Sequence, residues 1–356
     1  RGRSWPPAWA GRGPELVAAT VGPPASGMPS APYNPKAGSL AIALQFSRSV
    51  VPRVLARPEF WLFVGLHLAI YGLHFLGHLH GHAEHLDWED VKVVTAITTF
   101  FEVYYTHHCC WRYSRLWSLM RSMFGTVYDF AFQVRLFIRP SGQLYDRLAC
   151  RWVVVSLLLF LFEARRIGKV GDQEWQKLHA LGLMKREEIQ FLQGLTSQQR
   201  LLVMLHAASD VSRVGLAEAK APANVAKEVS MNLLRYRELH QELRDITDFP
   251  VPFEYVHLLS LLVTLVMALW AYCAGCSESF LAPLLYFFVA LILMGMMDLA
   301  SQMMDPFAGN DEDDLDMPLW ASEFLQNVAA LLDYHHDGAA ENFKADLRDE
   351  SKTKTK

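Results

Sequence analysis

Between Ser301 and Asp316 the chain reads Ser-Gln-Met-Met-Asp-Pro-Phe-Ala-Gly-Asn-Asp-Glu-Asp-Asp-Leu-Asp, which packs five carboxylates into the six positions from Asp311 to Asp316. A dense run of carboxylates and backbone carbonyls is the donor set that suits Ca²⁺, an ion that takes six to eight oxygen ligands. The order is not that of an EF-hand loop, because no Asp-x-Asp-x-Asp-Gly pattern closed by a glutamate at its twelfth position can be laid over it. The plain alternative is a solvated acidic turn. What sets this cluster apart is its place, directly after Phe280 to Met297, an uncharged apolar run.

A second set of candidate ligands is His67, His74, His78, His80, His82 and His85. Imidazole is a common zinc and copper ligand, but only His74 and His78 stand one helical turn apart before a helix break expected at Gly81. The segment is therefore either a metal site or a polar, proton-titratable cuff where a helix leaves a membrane. Five cysteines, Cys109, Cys110, Cys150, Cys273 and Cys276, are few and odd in number, which argues against a disulfide-stapled secreted domain. Cys273-x-x-Cys276 has no second pair to complete a zinc site and reads as incidental thiols. No nucleophile constellation and no phosphate-binding glycine loop is present.

These residues need elements to hold them, and hydropathy supplies most of those. With 52% hydrophobic residues and a net charge of −4, the chain has enough apolar sequence for several spans plus a soluble portion. Spans are expected at about 60–79, 91–108, 255–274 and 280–297. The second contains Glu102, Thr95, Thr98, Thr99 and two histidines, too polar for a lipid-facing helix, so it is expected to line a pore or to satisfy its polar groups between helices. Between Arg112 and Pro252 charge rises, and the apolar run from Trp152 to Phe162 is too short to span and reads as a buried helix of a soluble region. Helical periodicity recurs at 185–195, 225–243 and 318–334. Arg48, Arg53 and Arg57 precede the first span and Arg112, Arg115, Arg121, Arg135 and Arg139 follow the second, while the connections 79–90 and 275–279 carry no Lys or Arg. The positive-inside rule then puts both chain ends and the acid cluster in the cytosol. Residues 1–38, rich in Pro, Gly, Ala and Ser, read as a disordered linker or targeting segment, and 339–356 as a charged tail.

Two motifs resemble those of a known family. Gln302-x-x-Asp305-Pro306-Phe307 followed by Gly309-x-Asp311-x-Asp313-Asp314, and Asp248-Phe249-Pro250-Val251-Pro252-Phe253-x-Tyr255-Val256-His257-Leu258, are similar to bestrophin signatures, in the right order from about Glu59 to His336. This chain departs by Asp305 in place of an Asn and by the extra Ala308. The resemblance implies an all-α, four-span membrane protein with a large helical cytosolic region, assembled as a homopentamer around an anion pore, the channel domain covering 39–338.

The resemblance also implies site residues. Ca²⁺ would be clasped by Asp311 and Asp314 with the carbonyls of Gln302 and Asp305, plus one carbonyl within 34–37. Tyr113-Ser114-Arg115 fits the family's Tyr-x-Arg, and counting back from it puts Thr99, Val103 and His107 at the pore neck; another register selects Phe100 and Tyr104. Matching back from Asp248 puts Val225 at a cytosolic aperture. The implied function is passive conduction of chloride, with bicarbonate as a second candidate, through a calcium-regulated channel in contact with membrane lipid. Some algal members carry rhodopsin modules, so a fused or associated sensory domain stays open; nucleic acid is not an expected partner. The alternatives are a histidine-metal membrane enzyme, whose histidine boxes would have to converge on one face, and a non-conducting membrane scaffold.

Overall fold

The computed structural model describes residues 38–44, 46, 49–77, 88–139, 144–165, 170–249, 251–277, 279–307 and 317–333. Among these the chain is helical, without strands: α1 (Ser39–Ala43), α2 (Val50–Ala56), α3 (Pro58–Phe75), α4 (Trp88–Ile138), α5 (Tyr145–Arg165), α6 (Asp172–Ala180), α7 (Arg186–Gln193), α8 (Ser197–Glu218), α9 (Ala223–Asp248), α10 (Phe253–Gly275), α11 (Ala282–Met304) and α12 (Met317–Asp333). Among the described residues, those within 38–123 and 238–317 form one compact unit, unit I, and those within 124–237 and 318–333 form another, unit II. Two helices, α4 and α9, contribute residues to both.

Unit I is built on α3, α10 and α11, which pack on one another, with α2 laid against α11. Its core runs through Phe60, Val64, Leu259, Val263, Val266, Met267, Ala271, Tyr286, Ala290 and Leu293. A Cβ at Gly275 would stand 2.7 Å from Ile70 Cγ2, so glycine there lets α10 close on α3. Arg57, just before Pro58, is extended at φ −79°, ψ 129°, the conformation that a following proline favours, and there the axes of α2 and α3 bend by 70°. Inside the core His67 stacks on Tyr286 at 4.5 Å and its Nδ1–H donates to the Ala271 carbonyl at 3.1 Å. Outward, Leu62, Leu66, Leu261, Leu265, Leu285, Phe288 and Ile292 stand exposed. Large apolar side chains left exposed in this number mark a surface made for lipid or for another protein.

Helices α10 and α11 are long and apolar enough to cross a membrane, and α2 with α3 qualifies as a third span if the bent pair is taken together. The expected span 91–108 is the first third of the 51-residue α4, and Lys92, Glu102 and its threonines and histidines keep it out of that set. The first span was expected to reach Leu79, but α3 stops at Phe75, and Gly77 takes φ +75°, a left-handed conformation that suits a residue without a Cβ.

Unit II has α5 at its centre. Val153, Val154, Val155, Leu157, Leu158, Leu159 and Leu161 are all buried, and α5 packs along α8. The apolar run 152–162 is thus a buried helix, as expected, within a longer element. The Ser156 hydroxyl donates to the Val153 carbonyl at 2.7 Å and lies 2.9 Å from the Tyr236 hydroxyl. Ion pairs tie the rim: Arg135 to Asp146 at 2.5 Å, Arg151 to Glu188 at 2.9 Å, and Arg200 to Glu163 at 3.1 Å. Thr196 caps α8 in a box with Gln199, its backbone N–H donating to Gln199 Oε1 at 2.9 Å. Through Trp320 and Phe324, α12 lies against Phe124 and Tyr128.

Candidate functional site

The candidate site lies in unit I, where the first part of α4 meets α10 and the end of α11. Helical geometry gives α4 two faces here. One carries Thr98, Glu102, Tyr105, Cys109 and Arg112, all buried, and the other Thr99, Val103 and His107, all exposed. Positions three and four apart share a face of a helix, so the two stripes follow from the 3.6-residue repeat.

The buried face is fixed by polar contacts. Trp270 Nε1–H donates to Thr95 Oγ1 at 3.1 Å, the Tyr255 hydroxyl donates to the Phe101 carbonyl at 3.3 Å, and the Tyr105 hydroxyl reaches Met304 Sδ at 3.2 Å. Thr98 and Glu102 are buried with Thr98 Oγ1 and Glu102 Oε1 lacking a partner. From the sequence, the polarity of this segment was expected either to line a pore or to be satisfied between helices. In the fold Glu102 turns inward, 2% exposed, while Lys92 and all three residues of the expected neck set, Thr99, Val103 and His107, face outward. Val103 is 54% exposed; Phe100 and Tyr104, the alternative register, are exposed as well.

At the end of α11 a second cluster forms. Asp298 is 3% exposed, is ion-paired with Arg57, and has Arg53 Nε at 3.8 Å; its Oδ2 accepts from Gln302 Nε2 at 2.7 Å. Gln302 Oε1 is buried without a partner. The backbone carbonyl of Gln302 lacks its helical donor too, since the residue four positions on is Pro306, which has no N–H. Asp305 ends the helix and its Oδ1 accepts from the Phe307 N–H at 3.3 Å. Arg112 reaches across from α4, with Nε–H donating to the Met304 carbonyl and Nη1–H to the Phe249 carbonyl, each at 3.0 Å. Burial lowers the Arg112 pKa, and the nearby Asp305 carboxylate opposes that shift.

Of the four expected calcium-site residues, Gln302 and Asp305 therefore stand at the last turn of α11, while Asp311 and Asp314 lie outside the described residues, as do 34–37 and His78 to His85. Among the described residues no three His, Cys, Asp or Glu side chains group as metal ligands. Val225, the expected aperture residue, is 4% exposed; its side chain is taken up by its own chain, and Ala223, Asn224, Lys227 and Glu228 are the exposed positions around it. Sequence reasoning missed Asp298, Arg53, Arg57 and Arg112 as site residues. A signal for the first was present, since Asp298 is the charge that ends the apolar run 280–297 and a buried carboxylate there requires a partner.

Comparison with curated proteins returns no match. Among solved structures, a bacterial Bestrophin homolog from Klebsiella pneumoniae, solved by Zn-SAD phasing, is similar at a TM-score of 0.62 and 18% identity over 78% of this chain and 98% of that one. A point variant of the same homolog gives a TM-score of 0.66 at 14% identity, covering 76% and 97%. A structure described only as a variant membrane protein gives 0.66 at 16%, covering 81% and 99%. These likenesses establish a shared fold. The family model described as "Bestrophin, RFP-TM, chloride channel" matches residues 89–334, from the start of α4 to the end of α12, and so takes in both α4 faces and the α11 terminus. By that match, and on a fold in which a two-faced α4 meets the last turn of α11, the chain belongs to the bestrophin family.

Proposed function

We propose that the protein is an anion channel that conducts chloride passively through the axis of a homopentamer, with bicarbonate as a further permeant ion, and that Ca²⁺ regulates it. The observation that carries this reading is the match of the chloride-channel family across both the α4 faces and the α11 terminus. In this reading four spans cross the membrane, with α4 supplying the second, and both chain ends face the cytosol. The α4 stripe of Thr99, Val103 and His107, which the protein's own core leaves uncovered, lines the neck. Val225, whose side chain is buried within its own chain, is kept as the residue at the level of the cytosolic aperture.

The donor chemistry at the end of α11 supports a calcium site. Hard oxygen donors suit the ion, and the Gln302 carbonyl, whose i+4 helical donor Pro306 removes, is available to ligate. The Gln302 and Asp305 carbonyls would hold the ion together with the Asp311 and Asp314 carboxylates, and bound Ca²⁺ would supply positive charge that draws the acid run onto the helix end. Asp298 holds the Gln302 side chain, and so the last turn, in place.

Chloride efflux from liposomes containing the purified protein tests the reading. Efflux above that of empty liposomes, changed by Ca²⁺, is expected; efflux equal to the empty control contradicts it and favours a non-conducting scaffold.

A further inference from the structure

The α4 neck stripe and the α11 terminus are separate features of unit I, and one side chain joins them. Arg112 follows His107 by five residues, roughly 7.5 Å along the same helix axis. It is 8% exposed, and its planar fork donates to two backbone carbonyls that belong to different elements. Met304 is the last residue of α11 and Phe249 follows the last residue of α9. Helix C-termini carry unpaired carbonyls and a partial negative charge, so two of them converge on one guanidinium. Asp305, the next residue after Met304, adds a full negative charge to the same cation.

Successive carbonyls in the last turn of α11 thus have different tasks. That of Gln302 lacks a helical donor, that of Met304 is held by Arg112, and Asp305 opens the acidic segment. A change in the path of this turn moves the Met304 carbonyl and, through its hydrogen bond from Arg112 Nε–H, the helix that carries Arg112, while the Nη1–H bond to the Phe249 carbonyl fixes the other arm of the fork. A lysine would keep the charge but not the fork, because an ammonium is a point donor and cannot reproduce the planar spacing of two guanidinium N–H groups.

We propose that Arg112 is the positioning residue that couples calcium occupancy at the α11 terminus to the neck stripe of α4. The proposal rests on the calcium reading given above. It differs from a capping role alone in what it requires: a residue that only caps two helix ends changes stability, whereas a coupling residue separates calcium binding from calcium response.

The test uses the full chain, with calcium affinity measured by calorimetry and open probability measured in planar bilayers with and without Ca²⁺. In Arg112→Lys and Arg112→Gln, calcium binding is expected to persist, with an affinity shifted by no more than the coupling factor that is lost, because linkage is reciprocal. The ratio of open probabilities with and without Ca²⁺ is expected to fall to near one in both, the conserved charge of lysine giving no rescue. Both variants retaining the unsubstituted ratio overturns the proposal. Hydrogen exchange on the unsubstituted protein covers the case in which the variants fail to fold. Ca²⁺ is expected to alter protection in 108–115 together with 298–307, and a change confined to 298–307 overturns the coupling. If the unsubstituted protein neither binds nor responds to Ca²⁺, the calcium reading fails and the coupling with it; binding without loss of response in the variants removes the coupling alone.

Discussion

Asp298→Asn removes one charge from a carboxylate that is 3% exposed and held by Arg57, by Arg53 Nε at 3.8 Å and by Gln302 Nε2 at 2.7 Å. At an effective dielectric of about 20, opposite charges at such a separation attract by about 4 kcal/mol, and desolvation of the carboxylate offsets much of that. Breaking a fully buried pair costs about 3–5 kcal/mol, chiefly because the surviving charge is stranded. Here the arginine side chains are 46% and 32% exposed and can turn to water, so the expected loss is lower, about 2 kcal/mol. Arg57→Gln alone should cost about 1 kcal/mol, since Arg53 remains. The pair shares one contact, so the double variant should be less destabilised than the sum of the singles by about 1 kcal/mol. Denaturant unfolding in mixed micelles, followed by circular dichroism, measures all four corners of the cycle. Losses that add within about 0.5 kcal/mol would refute the reasoning, because they would mean that the contact carries no energy of its own.

Three further outcomes are expected. Asp311→Asn combined with Asp314→Asn should abolish calcium binding by calorimetry while leaving the assembly intact by size-exclusion chromatography; undiminished affinity would remove both residues from the site. With His107 at the neck, replacing its polar ring by an apolar one makes the constriction drier, so His107→Phe should lower single-channel chloride conductance at fixed pH, and an unchanged conductance would move the neck to the Phe100 and Tyr104 face. His240 is buried on α9, and burial first, then Arg244, pushes its pKa down to about 4. A depressed folded-state value means that its contribution to stability is complete above about pH 6.5 and is lost as the pH falls toward 4, roughly 3 kcal/mol in all. Unfolding midpoints at pH 7 and about 4.5 should therefore converge in His240→Phe, and an acid sensitivity equal to that of the unsubstituted protein would show that another group titrates.

Hydropathy and periodicity made much of the fold legible. The apolar runs and their flanks located α10 and α11, and the stripe Trp320, Phe324, Leu325, Val328, Leu331 and Leu332 located α12, all of it buried but the half-buried Leu331. The charge rise after His108 reads as an exit from the membrane, yet the backbone has no reason to stop there, and α4 continues through Gly125 to Ile138. Pro58 holds the signal for the bend at Arg57, and Gly77 for the early end of α3, but both sit within or beside apolar sequence that hydropathy alone joins into one span. The site was legible where it is local. Pro306, four residues after Gln302, is enough to leave a carbonyl without a donor. It was illegible where partners are distant in sequence: Arg57 and Asp298 are 241 residues apart, and Arg112 lies 192 from Met304. The arginines before the first span were read for topology because nothing local points to a buried carboxylate beside them.

The central claim is that this chain forms an anion-selective pore, and planar-bilayer recording of the purified full chain under a chloride gradient tests it most directly. The account predicts a current that reverses near the chloride equilibrium potential, about 59 mV for a tenfold gradient, with an amplitude that changes when Ca²⁺ is added on the cytosolic side. A current that reverses near the cation equilibrium potential, or the absence of any current with and without Ca²⁺, would contradict it.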